Sequence, residues 1–265
     1  MAMISPLAHI DPSAKIADNV KIHPFAFIDK DVEIASGCEI FPYASIMRGT
    51  RMGSNCRVFQ GAIVGAEPQD FRWKGGFTYC HIGNNVTIRE HVIINRGIHP
   101  DTEGTVIGDD CFIFAKSHIG HDTKVAGHCV LGNGVTVAGD CDIDQCVILS
   151  SNAIVHEKSR IGKWTLVKGG CRISGNVPPY IILAHNPAAY FGVNAIVMSK
   201  HGFSPDDIDV IAKAYRNIYQ SGISVFNALK RIEADIAPCE IRSEITDFIR
   251  GNNLRIVALP IDMLD

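Results

Sequence analysis

A chain of 265 residues, 46% hydrophobic and 20% charged, can fill one large domain or two ordinary ones and is too apolar to be disordered. Its formal net charge of −3 supplies no electrostatic footprint for nucleic acid. No apolar run approaches the roughly 18 residues of a spanning helix, and the opening "MAMISPLAHIDPSAKI" alternates too finely for a signal peptide, so a cytoplasmic protein is expected.

Taken in chain order, the first feature is a period of six. From Ile4 the residues fall into blocks such as IDPSAK, IADNVK, IHPFAF and IASGCE, each opening on an aliphatic side chain with a small or β-branched fifth position. The pattern pauses after Val64, resumes from Ile82 as IGNNVT and IREHVI, breaks near 100–106, and runs from Ile107 to Pro178. A strand has period two and a helix 3.6, so a strict six fits neither alone. It fits a short strand plus a turn laid around a triangular prism, with three sixes to a coil and coils stacked at about 4.8 Å. The expected fold is therefore mainly β, a parallel β-helix over residues 1–190, followed by a C-terminal α-helical cap over 191–265.

The period also assigns the cysteines. Cys38, Cys56, Cys111, Cys129, Cys141 and Cys171 all take the fifth position, where they serve as small buried apolar groups, and Cys38/Cys56 and Cys111/Cys129 should stack one coil apart. No CxxC occurs, and neither a metal nor a redox role is expected of them.

Two segments leave the prism: one near 66–81, carrying Gln69, Asp70, Arg72 and Trp73, and one at 97–106. Loops ejected from a regular scaffold are where binding groups tend to sit, although a packing or subunit-contact role fits them too. Beyond "VPPYIILAHNPAAYFGVN" helix signals replace the six. Ser204 reads as an N-cap with Pro205 at the first helical position and Gly222 closing; a second helix starts at Ser224, and a third is closed by Gly251.

The stretch "SHIGHDTKVAGHCV" (117–130) holds His118, His121 and His128, with Asp122 beside the second. His121 is third in its six and faces out of the prism, so a core histidine is excluded; a surface histidine, an acid–base group and a metal ligand remain. His128 reads as surface decoration.

The order of parts (repeats from the first residues, a "QD" loop, "HxxHD", "VPPY…NP…FGVN", a helical cap) resembles the acyl-[acyl-carrier-protein]–UDP-N-acetylglucosamine O-acyltransferases of lipid A biosynthesis, over essentially the whole chain. The resemblance implies a left-handed helix, which the six-residue period alone does not. It implies transfer of an (R)-3-hydroxyacyl group from acyl carrier protein to the 3-hydroxyl of UDP-N-acetylglucosamine by a homotrimer, with no metal and no cofactor beyond the carrier's phosphopantetheine.

Residue by residue, the resemblance makes His121 the general base, Asp122 its orienting partner and Gly139 the donor of an N–H to the oxyanion. His118 would lie beside the substrate, Gln69 and Asp70 would contact sugar and acyl chain, and Arg72, also on the binding side, would keep the positive charge of the family's usual lysine. His156, Asn194 and Lys200 would lie near nucleotide or donor, and Gly169 would leave room for a long acyl chain. The chain departs from the family pattern at Asn95 and Asp140, each in a histidine's place, at Glu157 in a glutamine's, at Arg72 in a lysine's, and at Lys200–His201 in place of an arginine pair. These leave the nucleotide contacts open; the preferred acyl length is not fixed by the sequence. An acetyl-CoA-dependent or N-acylating hexapeptide enzyme, a γ-type carbonic anhydrase needing three zinc histidines, and a non-catalytic scaffold are the rival readings.

Overall fold

The structure, a computed structural model, describes residues 3–253 and 255–258. The outer ends of the two expected segments, residues 1–2 and 259–265, lie outside the described residues, as does 254.

Most strands are two residues long, and each ends on the aliphatic first position of a six: Lys21–Ile22, Glu39–Ile40, Arg57–Val58. The strands form three sheets of 11, 9 and 8 strands, the faces of the prism. Every pairing is parallel except the last, between Ile181–Ala184 and Ala189–Val193. Partners in the regular coils are 18 residues apart, as in the Lys15–Glu33 ion pair. The spacing widens to 30 across the first ejected loop and to 25 across the second, and the ladder continues in register.

Stacked identical positions make the core. Ile22, Ile40, Val58, Ile88, Ile113, Leu131, Leu149 and Val167 form one buried aliphatic column, and burying each such side chain is worth roughly 1.5–3 kcal/mol. The fifth-position cysteines are free and buried as expected, and the Cys56 N–H donates to Cys38 Sγ at 3.3 Å. The fourth position carries a requirement that the six-residue pattern leaves unstated: from Phe25 onward it turns the corner with positive φ, at Asn55, Asp110, Asp122, Asp140 and Asn152 among others. Asn, Asp and Gly tolerate that conformation best, which explains their frequency there.

The cap differs from expectation in detail. An additional short helix, α1 (Ala195–Lys200), precedes α2 (Pro205–Tyr219), α3 (Val225–Asp235) and α4 (Glu240–Gly251). Ser204 closes a reciprocal capping box with Asp207 as read. Gly222, however, lies beyond the C-cap Gln220, and Gly251 is the last helical residue of α4. The strand Ala189–Val193 straddles residue 190, so the final sheet runs into the cap. Tyr180, Lys163 and Glu244 join α4 to the last coils by hydrogen bonds.

Candidate active site

Along one edge of the prism, the turns following His118–Ile119, Thr136–Val137 and Ile154–Val155 place His121–Asp122, Gly139–Asp140 and Glu157–Lys158 one above the other. Here the two ejected loops return to the scaffold. His121 lies outside the prism, as its place in the six requires, but is not a surface histidine: the loops leave it 6% exposed.

Both ring nitrogens are engaged. Nδ1 lies 3.0 Å from Asp122 Oδ2, and Nε2 lies 3.2 Å from Oδ2 of Asp70 in the first loop. Asp122 is itself fixed. Its Oδ2 accepts from the Ile98 N–H at 2.8 Å, its Oδ1 from the Thr102 hydroxyl at 3.1 Å, and its own N–H donates to Thr105 Oγ1 at 2.9 Å. A Cβ on Gly97 would come within 2.7 Å of Asp122 Oδ1, so the second loop approaches this closely only because residue 97 lacks a side chain. Sequence reasoning missed Gly97, Ile98, Thr102 and Thr105. A short loop with two Gly and two Thr was the available signal, but it does not say which carboxylate the loop grips.

The hydrogen bond to Asp122 holds the His121 imidazole above its ordinary pKa against the opposing effect of burial, helped by the negative charges of Asp140, Asp122 and Asp70. Burial alone would raise Asp122, but the hydrogen bonds from His121, Ile98 and Thr102 outweigh it and keep the carboxylate ionised. Asp70 is held well below the usual carboxylate range, chiefly by the Arg72 guanidinium, which binds it through Nε at 3.0 Å and Nη2 at 2.8 Å. His118, half-buried on the preceding strand, is pushed down by burial.

Gly139 sits directly against His121 Nε2, and any side chain there would collide with the ring. Among the described residues nothing accepts from its N–H. An imidazole backed by a carboxylate can take a proton from a hydroxyl, and an unpartnered N–H in the adjoining turn can steady an oxyanion formed there. One group of possible metal ligands occurs among the described residues: His99, Asp122 and Asp140 each bring one atom within 4.8 Å of the others. Asp122 is hydrogen-bonded at both oxygens, and Arg72 stands 3.5 Å from Asp140.

The remaining expected residues are placed unevenly. Gln69 and Arg72 are exposed on the first loop beside Asp70. His156 is exposed, one coil above the Ala138 position that precedes Gly139. Gly169 is exposed, but the positive-φ turn belongs to its neighbour Gly170 (φ +76), so turn geometry does not account for Gly169. Asn194 is buried, its amide donating to the Trp164 carbonyl at 2.8 Å, which ties the cap to a coil. Lys200 is exposed at the end of α1, followed by His201 against the Trp164 ring. Asn95, also buried, donates to the Glu67 carbonyl and anchors the root of the first loop.

Comparison with known proteins places this arrangement. The family profile described as UDP N-acetylglucosamine O-acyltransferase, domain 2, matches residues 176–257. The bacterial transferase hexapeptide profile matches 104–139, and one described as the GMPPB C-terminal domain matches 4–103. An acyl-[acyl-carrier-protein]–UDP-N-acetylglucosamine O-acyltransferase of Ectopseudomonas mendocina is 45% identical over 89% of this chain and 92% of its own. One from Pseudomonas fluorescens is 44% identical over 88% and 90%. The crystal structure of a UDP-N-acetylglucosamine acyltransferase from Bacteroides fragilis superposes with a TM-score of 0.93 at 40% identity, covering 97% of this chain and 100% of that one.

Proposed function

The chain belongs to the acyl-[acyl-carrier-protein]–UDP-N-acetylglucosamine O-acyltransferases, left-handed β-helix enzymes of lipid A biosynthesis, and from that premise we propose how its site performs the transfer. An (R)-3-hydroxyacyl thioester on acyl carrier protein is the donor, and the 3-hydroxyl of UDP-N-acetylglucosamine is the acceptor. The thioester is already activated, so no protein nucleophile is needed; the sugar hydroxyl is the poor partner and must lose its proton. His121 Nε2 takes that proton as the oxygen attacks the thioester carbon. Asp122 holds the proton on Nδ1, keeping Nε2 the accepting nitrogen, and stabilises the imidazolium that forms. The Gly139 N–H faces the oxyanion of the tetrahedral intermediate. Collapse expels the carrier thiolate, which is reprotonated, with His121 as the nearest acid.

The observation that carries this reading is His121 held between Asp122 and Asp70 with Gly139 against its outer nitrogen. Asp70 occupies the position that the acceptor's hydroxyl must share or take, which fits it and Gln69 as sugar contacts. His118, His156, Gly169, Asn194, Lys200 and Arg72 are assigned to binding. The reaction asks for no metal and no cofactor beyond the carrier's phosphopantetheine. A homotrimer in the cytoplasm, with the acyl chain lying in the groove between subunits, completes the proposal. No described helix is long and apolar enough to cross a membrane.

The test is a mass-spectrometric product assay in which the protein is offered UDP-N-acetylglucosamine with a ladder of 3-hydroxyacyl carrier proteins, and separately with acetyl-CoA. O-acylated UDP-sugar formed from the hydroxyacyl donors alone is the expected result. Turnover with acetyl-CoA alone would sink it.

A further inference from the structure

The first ejected loop is attached to the solenoid in two unlike ways. Its root is anchored by two buried side chains. Asn95 donates to the Glu67 carbonyl at 2.6 Å, and Arg96, 1% exposed, donates to the Gly65 carbonyl and to Glu67 Oε1, both at 3.0 Å, with its guanidinium 5.5 Å from the Trp73 ring. The tip, Asp70–Arg72, has no apolar hold: Phe71 is completely exposed. What keeps it down is charge. Arg72, already forked onto Asp70, reaches with Nη2 to Glu157 Oε1 at 3.2 Å and to Asp140 Oδ2 at 3.5 Å, on the two coils beyond His121. Lys158 shares Glu157 at 3.4 Å.

We propose that Asp140 and Glu157 are positioning residues for the acyl transfer: through Arg72 they clasp the tip of the loop to the edge of the prism, so that Asp70 stays beside His121, within reach of the acceptor sugar, which binds against a closed loop. This rests on the functional reading above. It also gives one account of three departures from the family pattern. Arginine at 72 has the planar fork that can hold several carboxylates at once, and residues 140 and 157 are the carboxylates it holds. Individually such exposed ion pairs are weak and salt-screened, so the closed tip is held only marginally and is free to open for substrate entry and product release.

The charged or titratable groups around His121 are Asp122 on its own turn, Asp140 from the next coil, Asp70 with Arg72 behind it, and His99 of the second loop near Asp122. Glu157 reaches His121 only through Arg72, which makes Glu157→Gln the clean probe.

The experiment compares Glu157→Gln, Asp140→Asn, Arg72→Lys and the Glu157→Gln/Arg72→Lys double variant of the full chain. Steady-state kinetics would be run with both substrates at low and high salt, alongside trypsin cleavage after position 72 and after Lys74. Glu157→Gln is expected to raise the acceptor KM about fivefold, the worth of one ion pair, with kcat and donor KM within about twofold. Its acidic pH limb should move slightly down as Asp70 loosens. Cleavage within the loop should speed up at an unchanged melting temperature, and high salt should reproduce both effects in the unaltered protein. In the Arg72→Lys background Glu157→Gln should add little. Fully additive effects, or unchanged proteolysis and KM, would overturn the clasp. Faster proteolysis at an unchanged acceptor KM would overturn its positioning role. Because proteolysis needs no substrate, absence of turnover with this acceptor would count against the functional reading and leave the clasp to be judged on its own.

Discussion

His121 and His128 stand seven residues apart on the same scaffold, each with an aspartate as partner, and share little else. His128 occupies a fourth position, with φ +60, exposed, its Nδ1 3.6 Å from an exposed Asp110 oxygen. His121 is covered by two loops, bonded at both nitrogens, and raised in pKa. The repeat supplies the same kind of turn to both, His121 at its third position and His128 at its fourth. What differs is whether the chain has left the repeat nearby and come back. In a solenoid the regular coils build the support, and the interruptions build the chemistry.

The sharpest way to break that contrast is to remove each ring in turn. His121→Ala should lower kcat/KM by roughly 10²–10⁴ with circular dichroism unchanged, the usual worth of general base catalysis. Comparable activity in this variant and in His128→Ala would end the distinction. Next in size, Asp122→Asn should cost about 10- to 100-fold, because the amide neither fixes the tautomer nor stabilises the imidazolium. It should also move the acidic limb of the rate profile down. In the unaltered protein that limb should lie above the ordinary histidine value of about 6.5, since neutral His121 is the working form; a limb below 6.5 would contradict the geometry.

The sign runs the other way for stability. A raised folded pKa means that His121's pairing contribution is fully present below about pH 6.5 and is lost as pH rises through the folded value. Denaturant midpoints should show this as the site becomes active. Smaller still, Gly97→Ala, which pushes on the Asp122 carboxylate from the second loop, should cost a few-fold in kcat at nearly constant KM. Last, His128→Ala should leave both constants within about twofold, as for exposed positions generally.

Much of this molecule was legible before any coordinates. The six-residue period identified the aliphatic columns, the packing of Cys38 on Cys56, both ejected loops and the outward direction of His121, because each coil repeats one local environment. The cap was legible in outline through Ser204, Pro205 and Ser224. What escaped was non-local. Nothing in "GIHPDTEGTV" says that Thr102 and the Ile98 amide will close on Asp122, or that Gly97 must stay bare for them to do so. The burial of Asn194 against Trp164 depends on how a five-residue antiparallel strand and a short helix fold back over the last coil. The closeness of Gly139 to the His121 ring joins two sixes one coil apart, a relation that the period allows and that only the side-chain positions reveal.

The widening of the coil spacing from 18 to 30 and to 25 has a consequence for how such a chain can change length. At either loop any number of residues can be gained or lost without disturbing the ladder above, since strands on both sides keep their partners. Elsewhere the arithmetic is strict. One extra residue between Ile119 and Val137 would turn the inward column outward, and six would rotate every later residue by one face, carrying Gly139 away from His121 while leaving the fold intact. Only a whole coil preserves the faces, and a coil inserted there would separate the two residues along the axis. Heritable variation in length is thus channelled into the two loops, which are the places where a new acceptor or acyl chain would have to be accommodated.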